Sequence, residues 1–181
     1  MDQQNIDKII SNYLSKNISF SEKNIFAAKL SLLDTLGCVY NASTYEEPMR
    51  FATRGVYGAN TNPFQVLEDI KSSNEIARYF SILTRWFDYN DTFLAEEWAH
   101  PSDNIGAALG YFINHKEKNI SQFLQSIIQM YEIQGCLALG TSLNKRGYDH
   151  VFYVKLASGA VYSSLLSNQN TESISRTVNN V

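Results

Sequence analysis

Residues 22–40, EKNIFAAKLSLLDTLGCVY, decide the fold because their apolar side chains recur at helical spacing over about five turns. Ser21 comes directly before this stretch and belongs to the residue types that cap helix N-termini. The apolar surface consists of Ile25, Leu32, Leu33, Leu36, Val39 and Tyr40. It is broad enough to be buried on several sides, so we expect this helix to be central to the core.

The rest of the chain repeats the helical pattern, and no βαβ pattern interrupts it. Apolar periodicity predicts helices within residues 5–15, 74–90, 104–115, 122–143, 150–166 and 170–181, the fourth capped by Ser121. Residues 41–63, which include GVYGANTNP, predict a loop. The last helix has Ile174, Val178 and Val181 on one face, and we expect their packing partner to belong to a longer protein. The fold class is therefore all-α.

Composition limits the possible functions. A chain of 181 residues with 44% hydrophobic residues fits one globular domain. A net charge of −3 provides no basic field, which argues against nucleic-acid and membrane partners. Cys38 and Cys136 stand far apart, and we expect both to be buried free thiols. The N-terminal MDQQNIDKII lacks the pattern of a signal peptide, so we expect a cytoplasmic protein.

Residues 86–104, WFDYNDTFLAEEWAHPSDN, combine carboxylates, two tryptophans and a histidine. If the preceding helix continues to about Thr92, Asp88 and Thr92 share one helical face. Pro101 biases His100 towards an extended conformation at the start of the next helix, whose N-terminus could receive a substrate carboxylate. This arrangement resembles a catalytic site in outline. The alternatives are a solvated acidic turn, which Trp86 and Trp98 make less plausible, and a magnesium site at DYND, for which no second acidic cluster exists.

A second candidate is NKRGYDHVFYVK, residues 144–155. Lys145 and Arg146 lie near His150, and cations beside a histidine suit a polycarboxylate ligand. The alternative is a basic loop followed by a helix that begins with Asp149 and His150. His115 lies among charged residues at a helix end and is interpreted as structural.

Four segments together resemble the 2-methylcitrate dehydratase branch of the MmgE/PrpD family. They are LLDTLGC (32–38), RWFDYNDTFLAEEWAHPSDNIGAALG (85–110), YEIQGCLAL (131–139) and GYDHVFYVKLASGAV (147–161). Their order and spacing agree with the family over nearly all of the chain. The resemblance implies a partial helical domain that lacks the family's α/β lid, with residues 1–181 forming the N-terminal part of the domain.

The resemblance also implies an activity, a hydro-lyase reaction that converts 2-methylcitrate into 2-methyl-cis-aconitate in propionate breakdown. It implies a tricarboxylate substrate, a homodimer in the full-length family, and no cofactor or iron–sulfur cluster; two isolated cysteines agree with the last point. Alternatives are cis-aconitate decarboxylase or citrate dehydratase activity, or a non-catalytic helical interaction module.

Carried over by motif, His100, His150 and Asp88 are the predicted catalytic residues, and no metal ligand is predicted. Water loss needs a base for the C–H proton and an acid for the leaving hydroxide, roles that two histidines can share. Asp88 would orient an imidazole, and the assignment of acid and base between the histidines is open. The predicted substrate-binding residues are Thr92, Ser102, Asn104 and Lys145.

Overall fold

The computed structural model describes residues 5–181, and this part of the chain is all-α, as predicted. Its eight α-helices are α1 (Ile6–Leu14), α2 (Glu22–Ser43), α3 (Glu46–Ala52), α4 (Ser73–Arg85), α5 (Ile105–Asn114), α6 (Ile120–Gly140), α7 (Val151–Leu166) and α8 (Thr171–Asn180). Three short 3-10 helices span Gln65–Glu68, Pro101–Asn104 and Asn144–Arg146. Within residues 5–181, extended pairing is limited to one bridge between Phe93 and Ala99. The first four residues of the N-terminal segment interpreted above lie outside the described part.

The core has two hydrophobic clusters that meet where α5 crosses α4. One cluster joins α1, α5, α6, α7 and α8, and the other joins the end of α2 to α3 and α4. Glycines allow the close crossing: a Cβ at Gly106 would lie 2.8 Å from the carbonyl oxygen of Ala77, and one at Gly110 would lie 3.2 Å from the Ala77 Cβ. Because α5 follows directly after residues 101–104, this contact fixes that segment in relation to the helical core.

Helix α2 differs from its expected central position. Its predicted cap is confirmed, since the Ser21 side chain accepts a hydrogen bond from the Asn24 N–H. Val39 and Ala42 are fully buried, but Leu33 and Tyr40 are 67% and 64% exposed. The expectation that α2 is buried on several sides is therefore wrong. Its packing against α3, α4 and α6 leaves one face of the helix open to solvent.

Several predicted boundaries were also wrong. Residues 41–63 contain the end of α2 and all of α3, and only Thr44 and Tyr45 separate the two helices; the longer irregular stretch begins after Ala52. Helix α4 ends at Arg85 and does not reach Thr92, because Asp88 adopts a left-handed conformation with φ of 58°. Helix α6 begins at Ile120, where Asn119 and Gln122 form a reciprocal capping box that replaces the predicted Ser121 cap.

Helix α8 already has a packing partner. Ile174 and Val178 are buried in the first cluster, so the prediction that this apolar face lacks a partner is wrong. On α1, the carboxylate of Asp7 accepts hydrogen bonds from Ser175 and Asn179 of α8. The first and last described helices therefore pack side by side.

Two expectations about the surface have different outcomes. Cys38 is buried as expected, but Cys136 is exposed on α6, where it faces away from the core.

Among the described helices, none is both long enough and apolar enough to cross a bilayer.

Candidate active site

The site begins at the C-terminus of α4, where Arg85 organises the following turn. Its guanidinium donates to the carboxylate of Asp88 and, at 3.3 Å, to the side-chain oxygen of Asn90. The Asp103 carboxylate lies 3.8 Å from the Arg85 Nε. Asp88, in its left-handed turn, is largely exposed on its outer side. The predicted helical face shared by Asp88 and Thr92 therefore does not form, and Thr92 is an exposed residue of the irregular segment.

His100 has the geometry predicted from the following proline. It lies outside the α region, with φ of −120° and ψ of 87°, and Pro101 occupies the first position of the 3-10 helix that leads into α5. The imidazole is 5% exposed. Its Nδ1 lies 2.6 Å from the main-chain oxygen of Asp91, and its Nε2 lies 3.8 Å from the nearer carboxylate oxygen of Asp88. A carbonyl oxygen only accepts, so Nδ1 carries the proton and Nε2 is available for chemistry in the neutral ring.

Ser102 and Asn104 lie behind His100 and are buried. The Ser102 hydroxyl accepts a 2.8 Å hydrogen bond from the Asn90 amide. The Asn104 amide donates to the Pro101 carbonyl and to Gln134, and its oxygen accepts from Ser158 at 2.7 Å. Their predicted role in substrate binding stays a prediction, whereas their contacts show that both side chains hold the backbone beside His100.

His150 lies directly before α7, at its N-cap position, and is 8% exposed. Its Nδ1 is 3.2 Å from the Asp149 carboxylate, and its Nε2 is buried without a hydrogen-bond partner among the described residues. Burial lowers the pKa of His150, although the Asp149 charge opposes this shift. The neutral imidazole is therefore favoured over a wider pH range than in water.

The two histidines, predicted from separate motifs, lie together in the fold. Their ring centroids are 6.4 Å apart. The indole of Trp98 packs against both rings, with its centroid 3.7 Å from that of His150 and 5.3 Å from that of His100. We call His100 and His150 the histidine pair. Their proximity depends on contacts between segments about fifty residues apart in the chain.

Glu97 provides one of those contacts. Its side chain is almost fully buried, and its carboxylate accepts hydrogen bonds from the Ser142 hydroxyl at 3.1 Å and from the Asn144 backbone and side-chain amides, each at 2.8 Å. Burial alone would raise the pKa of Glu97, but these bonds and one from the Leu143 backbone lower it. Glu97 therefore links the segment that carries His100 to the loop that leads to His150.

Sequence reasoning did not assign a role to Glu97, Arg85 or Asp91. Glu97 stands next to Trp98 in the sequence, but its hydrogen-bond partners are more than forty residues away, and no local pattern identifies them. Lys145 was predicted to bind substrate. In the structure its ammonium contacts Glu96, which raises the pKa of Lys145 through this hydrogen bond, and its substrate-binding role stays a prediction.

The acidic residues near the histidine pair differ in their surroundings. Burial raises the pKa of Asp103 to about 6, although the charges of Arg85 and His100 act in the opposite direction. Asp91 is hydrogen bonded to Ser102 and Tyr131, and Asp88 to Arg85. The DYND carboxylates are thus engaged with protein donors, and residues 5–181 contain no grouping of three or more potential metal ligands. These contacts do not favour the magnesium alternative.

The chain is similar to several curated proteins over most of its length. It is 32% identical to a probable 2-methylcitrate dehydratase of Saccharomyces cerevisiae, with 96% of this chain and 37% of the relative covered. It is 34% identical to the 2-methylcitrate dehydratase of Escherichia coli, with 89% and 35% covered. It is 38% identical to that of Cupriavidus necator, with 77% and 31% covered. The chain therefore spans about a third of the length of these relatives.

The family assignment extends over the same region as the described fold. Residues 10–179 match the model of the MmgE/PrpD N-terminal domain. This range includes both motifs of the histidine pair and all helices from α2 to α7. The chain therefore belongs to the MmgE/PrpD family, and it contains the N-terminal domain of that family.

Proposed function

We propose that this chain supplies the histidine pair of a hydro-lyase site that converts 2-methylcitrate into 2-methyl-cis-aconitate. The observation that carries the proposal is the convergence of His100 and His150 with ring centroids 6.4 Å apart. Each ring has an Nε2 without a hydrogen-bond partner closer than 3.5 Å among the described residues. The names of the relatives support the choice of substrate.

The reaction requires two proton transfers. One imidazole takes the proton from the carbon next to the hydroxyl-bearing carbon, and the electron pair of that C–H bond forms the C=C bond as the C–O bond breaks. The other imidazole, as imidazolium, gives its proton to the departing hydroxide, which leaves as water. General acid and base groups each contribute roughly 10²- to 10⁴-fold in such steps. The proposal leaves open which histidine has which role.

Other predicted residues have supporting roles in this proposal. Asp88, 3.8 Å from the His100 Nε2, would orient this imidazole. Thr92 and Lys145 are exposed and could reach the substrate hydroxyl or a carboxylate. Ser102 and Asn104 would contribute mainly through the backbone segment that they hold. The reaction is proposed to need no cofactor and no iron–sulfur cluster.

The proposed setting is the cytoplasm, in propionate breakdown. The chain spans about a third of the length of these relatives. The resemblance to the family implies that a lid domain contributes further cationic and tyrosine side chains to the site. Substrate carboxylates need fixed positive charge as the reaction proceeds. Near the histidine pair, Arg85 is already engaged by Asp88 and Asp103. We therefore expect the 181-residue chain to bind 2-methylcitrate weakly and not to turn it over alone.

The test combines an assay with a binding measurement. Absorbance of the unsaturated product reports turnover, and NMR signals of the histidine rings report binding. We expect no turnover, with shifts at His100 and His150 that saturate with 2-methylcitrate. His115, which stacks on Tyr111 at the end of α5, is the internal control and should not shift. Equal shifts at all three histidines, or none at the pair, would count against the proposal. Citrate and cis-aconitate in the same titration test the alternative activities.

A second candidate function is a helical interaction module, and the open face of α2 favours it. Phe26, Leu30, Leu33 and Tyr40 are each at least half exposed, and they follow the spacing of a two-helix seam. The charged residues Lys29 and Asp34 flank this seam. In a parallel arrangement with a second copy of the chain, each lysine would lie beside the partner's aspartate. We propose self-association through this face, in agreement with the homodimer implied by the family.

Light scattering over a concentration series tests this proposal. Lys29→Glu places two acidic residues in contact across the seam and should shift the chain towards monomer. Adding Asp34→Lys exchanges the charges and should restore the dimer. A wild-type chain that is monomeric throughout, or a double variant that stays monomeric while the wild type dimerises, would contradict the arrangement.

A further inference from the structure

Asp91 makes three hydrogen bonds beside the histidine pair. Its carboxylate accepts at one oxygen from the Ser102 N–H, at 2.9 Å, and at the other from the Tyr131 hydroxyl, at 2.8 Å. Its main-chain oxygen lies 2.6 Å from Nδ1 of His100. Asp91, whose main-chain oxygen contacts the imidazole, is therefore itself held at both carboxylate oxygens.

Tyr131 connects this arrangement to the rigid part of the fold. It belongs to α6, the 21-residue helix whose buried face contributes much of the first hydrophobic cluster. Burial, and then the Asp91 charge, raise the pKa of Tyr131 well above its usual value. Its hydroxyl thus keeps its proton at neutral pH and donates to Asp91.

The orientation of the Asp91 carbonyl depends on these contacts, because the backbone from Asn90 to Thr92 lies outside the regular helices. Without the Tyr131 hydroxyl, the Asp91 side chain keeps only the Ser102 bond. The peptide that follows Asp91 can then rotate, and its oxygen loses its alignment with the His100 ring. Nothing else among the described residues accepts a hydrogen bond from Nδ1.

We propose that Asp91 and Tyr131 are positioning residues that fix His100 as its Nδ1–H tautomer, with the Nε2 lone pair directed to the side of Asp88. The tautomer of a histidine is set by the hydrogen bond at its other nitrogen. Fixing it keeps Nε2 ready to accept a proton. The use of Nε2 in dehydration rests on the proposed function, but the tautomer does not.

The experiment is ¹⁵N NMR of the histidine rings in the full 181-residue chain without substrate. In the wild type, Nδ1 of His100 should show the signal of a protonated nitrogen and Nε2 that of an unprotonated one. Tyr131→Phe removes one hydroxyl and should raise the fraction of the other tautomer by roughly two-fold or more. The matched control is Tyr79→Phe, since the Tyr79 hydroxyl is also buried but donates to the Pro63 carbonyl in the second cluster. It should leave the His100 signals unchanged.

Asp91→Asn is the second variant, and it serves if Tyr131→Phe does not fold. It keeps the side-chain size and the acceptor for the Ser102 N–H, but it replaces the oxygen that accepts from Tyr131 with an amide NH₂ and removes the charge, so a change in the same direction is expected. A wild-type His100 protonated at Nε2 would overturn the proposal, as would unchanged signals in both variants or an equal change in Tyr79→Phe. Failure of the dehydration assay alone would refute the proposed function and leave this proposal intact.

Discussion

The two histidines of the pair have the same side chain and nearly the same exposure, but they are held in different ways. His100 is fixed by a main-chain oxygen in a segment where Asn90, Asp91 and Ser102 are hydrogen bonded to one another. His150 is held by the indole of Trp98 and by the exposed Asp149. One imidazole is positioned by hydrogen bonds and the other by packing.

This difference has an energetic consequence. A buried polar atom without a partner costs about 1–3 kcal/mol, so such atoms are few in native proteins. Nε2 of His150 is one of them among the described residues. A ligand that contacts this nitrogen would recover that free energy, whereas the His100 Nε2 lies 3.8 Å from the Asp88 carboxylate and is not among the buried atoms without a partner. The comparison therefore indicates that hydrogen bonds preorganise His100, and under the proposed function we expect a ligand to complete the surroundings of His150.

The largest expected effect comes from removing the Glu97 contacts, which link the segment that carries His100 to the loop that leads to His150. Glu97→Ala leaves the Ser142 hydroxyl and both Asn144 amides without their acceptor, and we expect the free energy of unfolding to fall by about 3 kcal/mol. Urea denaturation measures this change, and the His150 signals should move more than those of His100. The control is Glu96→Ala, next in sequence and paired with Lys145 at the surface, which should cost less than about 1 kcal/mol. If Glu97→Ala lowered the free energy of unfolding by no more than about 1 kcal/mol, as expected for the surface control, the Glu97 contacts would not be structural.

An intermediate effect is the pH dependence of stability that comes from Asp103, near His100. The pKa of Asp103 is raised from its ordinary 3.8 to about 6 in the folded protein, so the folded state holds this proton more tightly than the unfolded chain. Its contribution to stability is therefore fully present below about pH 4 and is lost as the pH rises through 6. Asp103→Asn should remove this loss, which a shift of about two pH units limits to at most about 3 kcal/mol. Denaturation of both proteins at pH 4, 5, 6 and 7 checks the prediction, and parallel curves would refute it.

The smallest effect concerns the packing around His150. Trp98→Ala exposes the imidazole, and because burial is the main cause that lowers its pKa, the pKa of His150 should rise by a few tenths to about one pH unit. NMR titration of the ring signals measures this shift. His115, stacked on Tyr111 far along the chain, provides the matched control in the same spectra. A His150 pKa that does not move would show that the indole does not control its hydration.

The sequence predicted those features that depend on neighbouring residues. The cap at Ser21 is confirmed, as is the position of His100 outside the α region before Pro101. The family motifs also joined His100 to His150 before the structure placed them together. Such features follow from backbone restrictions and residue size, which act over a few positions of the chain.

What the sequence could not predict depends on distant contacts. The left-handed turn at Asp88 forms beside Arg85, and Glu97 binds a loop more than forty residues away. The open face of α2 was predicted to be buried because apolar composition shows that a face can pack, but not whether a neighbour covers it. The apolar face of α8 was predicted to lack a partner within this chain for the same reason, but α1 and α7 cover it.

The central claim is that both members of the histidine pair act on one substrate. The most direct test uses a full-length relative such as the Escherichia coli 2-methylcitrate dehydratase, in which the histidines that match His100 and His150 are each replaced by alanine. The proposal predicts that kcat for 2-methylcitrate falls by about 10²-fold or more in each variant, with the folded structure retained. Near-normal turnover in both variants would contradict it.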